Sequence, residues 1–273
     1  PLLTEIPGLD NVVLWPRQEW QDLWREKRFF ALISAVAAFR RKLRARNYDL
    51  VIDAQGLVKS AFLAWLTGSR QRIGFKSKEP NGVFLTDRYE KSITSRISSE
   101  YLALADILGW DTSSFEMVLG LAASDDARAT DVAPDEPYVV IAPFTTRPQK
   151  HWTHAHWRAL IGRLADAGHQ VACVGGPGDR EEAAALLDGL PVLNWVGSFP
   201  LGVSAGLVKR AAAVIGVDTG LTHMGIAADI PTVALFGSTC PYLETGRDNV
   251  RVIYHGLELS LIHISEPTRP TPI

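Results

Sequence analysis

The sequence predicts an α/β fold in which parallel sheets carry helices on both faces. Short buried apolar runs alternate with stretches of helical periodicity from about residue 48 to residue 236. Such alternation is typical of strand–helix–strand units, whose strands lie parallel. The chain has 273 residues, of which 47% are hydrophobic and 21% charged, and this is enough for one large or two medium domains.

The first half predicts one alternating unit, which we assign to residues 1–121. Helical spacing over residues 16–46 fits one helix or two, and an apolar run at 48–53 predicts a short strand. A helix at 57–66, a short strand at 72–75 and a helix at 99–108 follow. The next stretch, 122–137, is rich in Asp, Ala and Pro, and we interpret it as a linker between domains.

The second half predicts a complete doubly wound domain over residues 138–258. Strands are expected at 138–142, 170–174, 192–195, 213–217 and 232–236, the last being the final strand of the set. Helices are expected at 154–167, capped by Thr153, and at 180–187, 203–210 and 221–228. Residues 259–273 have three prolines and no periodicity; we interpret them as a non-native tail, with a natural disordered tail as the alternative.

Composition argues against several classes of protein. The formal net charge is −2, so no global basic field favours nucleic acid as a partner. The two cysteines, Cys173 and Cys240, exclude a disulfide framework and fit a reducing cytoplasm. No apolar run approaches the roughly 18–20 residues that span a bilayer, so any membrane contact is expected to be peripheral.

Two loops after predicted strands carry polar groups suited to a phosphorylated ligand. After 138–142 come two hydroxyls and two cations, which can donate to phosphate; the alternative is a solvated loop. After 170–174 a glycine-rich turn permits close approach of a ligand, and Glu181 is a candidate for a ribose hydroxyl; the alternative is a tight turn. Glu181 stands where a third glycine would complete G-x-G-x-x-G, which weakens a dinucleotide interpretation. The hydroxyls and cations of the first loop are Thr145, Thr146, Arg147 and Lys150.

The third loop, GVDTGLTH at 216–223, is the strongest candidate. Gly216 is expected to let the chain bend, and Gly220 to leave backbone N–H groups uncovered. A helix starting near Leu221 would direct its positive end at a bound anion. The alternative is ordinary capping by Asp218 or Thr219, but three polar loops at one edge of one sheet favour a ligand site. We therefore predict that this segment binds the diphosphate of a nucleotide-activated substrate.

Other chemistries are less well supported by the sequence. His151, His154 and His156 suggest a metal site by number, but no carboxylate or cysteine stands at matching spacing, so no metal site is predicted. No Ser-His-Asp or Cys-His arrangement and no Walker A sequence stands out. We expect transfer from a diphosphate leaving group, whose departing charge is stabilised by cations and N–H groups.

Three segments together resemble motifs of the ADP-heptose:lipopolysaccharide heptosyltransferases of glycosyltransferase family 9, type I in particular. They are VIDAQGLVKS at 51–60, TTRPQKHW at 145–152 and the 216–223 segment, which continues through Pro231, Gly237 and Pro241. The resemblance covers roughly residues 1–258. It implies a GT-B enzyme, with two Rossmann-like doubly wound domains facing a cleft. It also implies an inverting transfer of L-glycero-D-manno-heptose from ADP-heptose to Kdo of the inner core, with no cofactor and no required metal.

The resemblance also implies roles for particular residues. Lys150 is the catalytic candidate and contacts donor phosphates with Thr145 and Thr146. The rest of the donor site is Asp218, Thr219, Gly220 and His223, while Glu181 matches the family poorly. The acceptor side comprises Asp53, Gln55, Gly56, Lys59 and Arg17, and Arg25, Lys27 and Arg28 would join Arg17 at the acidic Kdo–lipid A headgroup.

The resemblance further places such an enzyme in the cytoplasm of a Gram-negative cell, peripheral to the inner face of the inner membrane. Family members begin with a strand and a Gly-containing loop that carries an Asp, the expected general base. This sequence starts after that region, so we expect an incomplete first domain and impaired transfer. The alternatives are a type II-like family 9 heptosyltransferase, a non-catalytic nucleotide-sugar-binding protein, and a GT-B sugar epimerase that uses a UDP donor.

Overall fold

The computed structural model describes residues 5–254, so the predicted tail at 259–273 lies outside the described residues. Two compact units divide the chain. The first unit is Val13–Thr94 with Ser98–Ser114, and the second unit is residues 115–254 with 95–97 and 5–12. Both contain parallel sheets and helices, as the sequence predicts. Among the described residues, no helix has the length and apolar character needed to cross a bilayer.

The first unit is built on a three-stranded parallel sheet in the order β1-β2-β3. The helical segment at 16–46 forms two helices, because Lys27 adopts a left-handed conformation (φ 58°) between them. Strand β3 was not predicted, since its three residues contain no apolar run. The elements are α1 (Arg17–Arg25), α2 (Phe29–Arg44), β1 (Leu50–Asp53), α3 (Val58–Leu66), β2 (Gln71–Phe75), β3 (Asp87–Tyr89) and α4 (Ser99–Ile107).

The second unit contains a six-stranded parallel sheet in the order β6-β5-β4-β7-β8-β9. The chain moves outward from β4 to β6, returns to β7 beside β4, and moves outward again to β9, which is a doubly wound topology. Its elements are α5 (Ala123–Val132), β4 (Tyr138–Ala142), α6 (His154–Asp166), β5 (Gln170–Cys173), α7 (Arg180–Leu187), β6 (Val192–Asn194), α8 (Leu201–Arg210), β7 (Ala213–Val217), α9 (Gly220–Ala227), β8 (Thr232–Phe236) and β9 (Val250–Tyr254).

Helices cover both faces of this sheet, as expected for a sheet whose central strand is apolar throughout. Ile141 of β4 packs on one face with Trp157 of α6 and Leu186 of α7. Val140, the next residue back along the strand, packs on the other face with Val208 of α8. Every residue of β4 is buried, and the Tyr138 hydroxyl at its start donates to the Leu207 carbonyl at 2.6 Å.

The predicted linker at 122–137 is corrected by the structure, because α5 occupies most of it. Ala129 of α5 is fully buried against Val203 and Leu207 of α8. Gly206 makes this packing possible, since a Cβ there would lie 2.5 Å from the Ala129 Cβ. The small residues that suggested a linker are therefore the ones that let two helices approach closely.

The predicted final strand at 232–236 is also not the last one. Strand β9 pairs with β8 in parallel over five residues, from Thr232↔Val250 to Phe236↔Tyr254. A long loop at 237–249 separates the two strands and contains no helix. The usual strand–helix–strand alternation is interrupted there, which is why the pattern did not indicate β9.

Candidate functional site

Three polar loops meet at one edge of the second unit's sheet. Strands β5, β4 and β7 are neighbours and parallel, so the loops at their carboxyl ends lie side by side. Between them is a cavity of about 350 Å³, large enough for a diphosphate group. Its lining residues are Phe144, Thr145, Thr146, Arg147, Lys150, Asp179, Asp218, Thr219, Gly220 and His223.

Asp218 is the centre of the polar network in this cavity. Its Oδ2 accepts hydrogen bonds from Lys150 Nζ at 2.5 Å and Thr239 Oγ1 at 2.7 Å, and its Oδ1 lies 3.3 Å from His223 Nε2. Burial alone would raise the pKa of Asp218, but hydrogen bonds from His223, Lys150 and Thr239 outweigh it and hold the pKa well below its usual range. Asp218 is therefore an anion at neutral pH that fixes the position of the Lys150 ammonium.

His223 connects Asp218 to a buried tyrosine. The Tyr242 hydroxyl lies 2.5 Å from His223 Nδ1, and the Tyr242 side chain packs against the imidazole. Burial, with the nearby negative charge of Asp218, raises the pKa of Tyr242, so the hydroxyl stays neutral and donates to Nδ1. His223 Nε2 faces Asp218 Oδ1, and an Nε2–H donates to that carboxylate.

Helix α9 begins at the cavity with its first N–H groups uncovered. Gly220 is its first residue, and Thr219 precedes it without a side-chain capping hydrogen bond. The alternative of capping by Asp218 is not realised, because that carboxylate bonds Lys150, Thr239 and His223 instead. The positive end of the helix is thus left for an anion in the cavity.

Gly216 has a different role from the one expected. It lies within the regular strand β7, opposite Ala142, and does not bend the chain. A Cβ at this position would lie 2.2 Å from Thr222 Oγ1 and 3.0 Å from the Ala142 Cβ. Thr222 is fully buried and donates to the Val217 carbonyl at 2.7 Å. Gly216 therefore allows the first turn of α9 to pack directly on the sheet.

Replacing Gly216 with alanine is expected to lower the free energy of unfolding by about 1–3 kcal/mol, because the added methyl overlaps Thr222. Urea denaturation measures this change. The control is Gly162→Ala in α6, where a Cβ has no neighbour within 4 Å and should stabilise the helix by up to about 1 kcal/mol. A Gly216→Ala variant as stable as the unchanged protein would contradict the packing role.

The loop after β4 is held in place by a histidine pair. His151 Nε2 lies 2.8 Å from the Thr145 carbonyl, while His151 Nδ1 and His154 Nε2 lie 3.3 and 3.0 Å from Glu182 Oε1. The histidines that suggest a metal site by number thus tie this loop to α7. Within residues 5–254, no group of three or more His, Cys, Asp or Glu side chains has the arrangement of a metal site.

Most of the predicted donor residues line the cavity, but Glu181 does not. Glu181 is exposed at the start of α7. A short 3-10 turn, Pro177–Asp179, places Asp179 at the cavity instead, with its Oδ2 accepting the Gly176 N–H at 2.7 Å. The donor residues that the structure brings together are Thr145, Thr146, Lys150, Asp218, Thr219, Gly220 and His223.

The predicted acceptor residues Asp53, Gln55 and Gly56 form a tight turn after β1 in the first unit. Asp53 is buried, and its Oδ1 accepts the N–H groups of Gln55 and Gly56 at 3.1 Å each. Gly56 has φ +76°, a conformation that favours glycine. The side chain of Asp53 therefore stabilises the turn through Oδ1, while its buried Oδ2 has no hydrogen-bond partner among the described residues.

The other predicted acceptor residues lie elsewhere on the first unit. Lys59 is exposed and lines a separate cavity of about 550 Å³ beside Phe62, Phe84 and Glu79. Arg17 is exposed at the start of α1, with its guanidinium 6.0 Å from the Trp15 ring centroid. Of the cations grouped with Arg17, Arg25 pairs with Asp22 at 3.0 Å and Arg28 pairs with Glu26 at 3.1 Å.

Sequence reasoning missed three residues in or beside this cavity. Asp179 lies in a loop that was already singled out, whereas Arg147, one of the two cations expected after 138–142, also lines the cavity. Thr239 and Tyr242 lie in the loop that follows β8, and both contact the Asp218–His223 pair. The rule that ligands bind at strand carboxyl ends points to this loop as well, and applying it to β8 would have found them.

The comparison with known proteins decides the family. Residues 36–258 match the profile of glycosyltransferase family 9 (heptosyltransferase), and this range is most of the chain. The chain belongs to glycosyltransferase family 9. The predicted family and the α/β fold with parallel sheets are thereby confirmed.

Two relatives and one solved structure show how similar this family 9 chain is to known members. Lipopolysaccharide heptosyltransferase 1 of Escherichia coli K12 is 33% identical over 250 residues, which are 89% of this chain and 77% of that protein. Lipopolysaccharide heptosyltransferase 2 of the same strain is 25% identical over 259 residues, which are 88% of this chain and 72% of that protein. The structure of E. coli heptosyltransferase WaaC with ADP-2-deoxy-2-fluoro heptose matches with a TM-score of 0.66 at 31% identity. The match covers 89% of this chain and 76% of that chain.

Proposed function

We propose that this family 9 chain is an inverting glycosyltransferase that moves L-glycero-D-manno-heptose from ADP-heptose to Kdo of the lipopolysaccharide inner core. The observation that carries the proposal is the cavity at the carboxyl ends of β4 and β7. It combines the Lys150 cation, the hydroxyls of Thr145 and Thr146, and the uncovered start of α9. These groups suit a diphosphate, and a family 9 relative was solved with an ADP-heptose analogue.

In the proposed reaction, the cavity stabilises the departing ADP. Charge accumulates on the diphosphate as the bond to heptose breaks, and groups already aimed at that charge lower the barrier. The Lys150 ammonium and the N–H groups at the start of α9 supply this stabilisation. Asp218 is itself an anion and would repel phosphate, so its role is to hold Lys150 in place at 2.5 Å.

Sequence identity to the relatives supports the type of heptosyltransferase that we propose. The chain is 33% identical to the type 1 enzyme of E. coli K12 and 25% identical to the type 2 enzyme over similar lengths. We therefore propose Kdo as the acceptor in place of an already heptosylated core. We further propose that the reaction needs no cofactor or metal, and that it takes place on the cytoplasmic side of a Gram-negative inner membrane.

A transfer assay with two acceptors tests this function. The protein is incubated with ADP-heptose and either Kdo₂-lipid A or the same acceptor carrying one heptose, and products are identified by mass spectrometry. Heptosylation of Kdo₂-lipid A alone is the expected result, in the presence or absence of a chelator. Product from the heptosylated acceptor alone would indicate a type II-like enzyme, and donor binding without product from either acceptor would indicate a nucleotide-sugar-binding protein.

A further inference from the structure

The outward face of α2 is unusual for a surface helix. Phe39 and Leu43 turn inward and are buried, which sets the opposite side of the helix toward solvent. Such a side normally carries polar residues. Here its first half carries Phe30, which is 92% exposed, and Ile33, which is 65% exposed. We call this surface the α2 outer face; at helical spacing it comprises Phe30, Ile33, Ala37, Arg41 and Arg44.

Apolar surface continues from the α2 outer face onto neighbouring elements. A groove of about 610 Å³ between α2 and α3 is lined by Ile33 together with Phe62 and Trp65. Trp24 at the end of α1 is 64% exposed and makes an edge contact with Phe29, with ring centroids 5.4 Å apart. The exposed apolar residues therefore form a group around α2 and are not isolated side chains.

A dense positive charge lies beside this apolar group. Residues 27–48 contain seven cations and no acidic residue, whereas the whole chain has a net charge of −2. Favourable interaction with the helix dipole accounts for a cation or two in the last turn of α2, but not for apolar residues exposed in the first. The seven are Lys27, Arg28, Arg40, Arg41, Lys42, Arg44 and Arg46.

The combination of exposed apolar residues and positive charge restricts which partner can cover the α2 outer face. A second copy of the chain would satisfy the apolar residues, but it would bring two strongly positive segments together. An anionic bilayer satisfies both features, since apolar side chains enter the region between headgroups and acyl chains while cations remain at the headgroups. Cation and apolar ring already meet in the groove beside this face, where the Arg40 guanidinium lies 5.7 Å from the Trp65 ring centroid.

We propose that the α2 outer face docks on the surface of a bilayer that contains anionic lipid, with Phe30 and Ile33 of that face inserted, and with Arg41 and the adjacent exposed Lys42 at the headgroups. This proposal deepens the proposed function, on which it rests for a lipid-linked acceptor. The lipid-linked acceptor is confined to a bilayer, and no described helix of this protein is long and apolar enough to cross one. Docking would bring the protein to that acceptor.

Vesicle co-sedimentation tests the proposal with two double variants, Phe30→Ser/Ile33→Ser and Arg41→Glu/Lys42→Glu. The unchanged protein should bind phosphatidylcholine vesicles only when they contain phosphatidylglycerol, and less as salt is raised. Each cation near such a surface contributes about fivefold in affinity, so reversing two should weaken binding by more than about tenfold. The apolar variant should weaken it by at least about tenfold.

Two exposed residues of the same unit provide matched controls. Ile93→Ser removes an apolar side chain that is 71% exposed, and Lys78→Glu reverses an exposed charge; both should bind vesicles like the unchanged protein. Unweakened vesicle binding by both double variants would overturn the proposal. So would a dimer of the unchanged protein that dissociates in the apolar variant without any vesicle binding, since that would make the face a self-interface.

Calorimetry with ADP separates this proposal from the proposed function. The double variants should keep the ADP affinity of the unchanged protein, because the donor cavity belongs to the second unit. Vesicle binding without any ADP binding would refute the donor site and leave the docking surface standing. ADP binding without vesicle binding by the unchanged protein would refute the docking surface alone.

Discussion

Replacing Lys150 with alanine is expected to lower kcat/KM for transfer from ADP-heptose by about 10²–10³-fold, because a preorganised cation facing the leaving group is lost. Lys150 Nζ is held 2.5 Å from Asp218 Oδ2 at the wall of the cavity. The affinity for ADP should fall as well, and the loss should shrink at high salt because a charge–charge attraction is screened. Steady-state kinetics and calorimetry at two salt concentrations measure both effects.

The control for Lys150→Ala is Lys209→Ala. Lys209 is half exposed on α8 and lies 4.0 Å from Asp126, away from the cavity lining. Its removal should leave kcat/KM unchanged, because surface ion pairs of this kind contribute little. Equal rates for Lys150→Ala and the unchanged protein would show that Lys150 does not stabilise the leaving group.

Replacing Asp218 with asparagine is expected to reduce both stability and turnover. The substitution removes a carboxylate that accepts from Lys150, Thr239 and His223. Hydrogen bonds to a charged group contribute about 1.5–3 kcal/mol each, and losing the charge while keeping a neutral acceptor should lower the free energy of unfolding at pH 7 by about 2 kcal/mol. Without this carboxylate the Lys150 ammonium is no longer held in position. This loss should lower kcat/KM by at least about tenfold.

The pH dependence of this stability loss has a defined sign. The pKa of Asp218 is depressed in the folded protein by its three donors, so its contribution is fully present above the ordinary carboxyl range. It is lost as the pH falls below that range toward the folded value, because the unfolded chain then binds the proton first. The stability difference between the unchanged protein and Asp218→Asn should therefore be largest near neutral pH and shrink in acid.

Urea denaturation at pH 7 and at acidic pH measures this difference. The matched control is Asp188→Asn just after α7, which changes an exposed carboxyl and should leave stability unchanged at both pH values. A constant stability difference across pH, or none at pH 7, would contradict the role of the Asp218 charge.

Much of the second unit's sheet could be predicted from the sequence because its strands are buried on both faces. Such strands appear as short continuous apolar runs, as in β4 and β7, and each is followed by a helix with clear periodicity. The sequence indicates a linker where α5 lies, because alanines are as compatible with a loop as with a close contact between helices. Their packing on Gly206 depends on a partner about 80 residues away, which local pattern does not contain.

The residues of the proposed donor site that lie in loops directly after strands could be predicted from the sequence. Lys150 and Asp218 were found because each follows an apolar strand, and parallel neighbours bring their loops together. The ion pair between Lys150 and Asp218 could not be predicted, because this 2.5 Å contact joins residues that are 68 positions apart in the sequence. Gly216 was assigned to bending for the same reason, because only the position of Thr222 shows that its Cβ has no space.

Calorimetric titration of the protein with ADP and with AMP, in parallel with Lys150→Ala, tests the central claim that the cavity between the β4 and β7 loops binds a donor diphosphate. The unchanged protein should bind ADP at least about tenfold more tightly than AMP, because the second phosphate meets Lys150 and the start of α9. Lys150→Ala should lose most of that preference while keeping its AMP affinity. Equal affinities of the unchanged protein for ADP and AMP, or a full preference for ADP in Lys150→Ala, would contradict the claim.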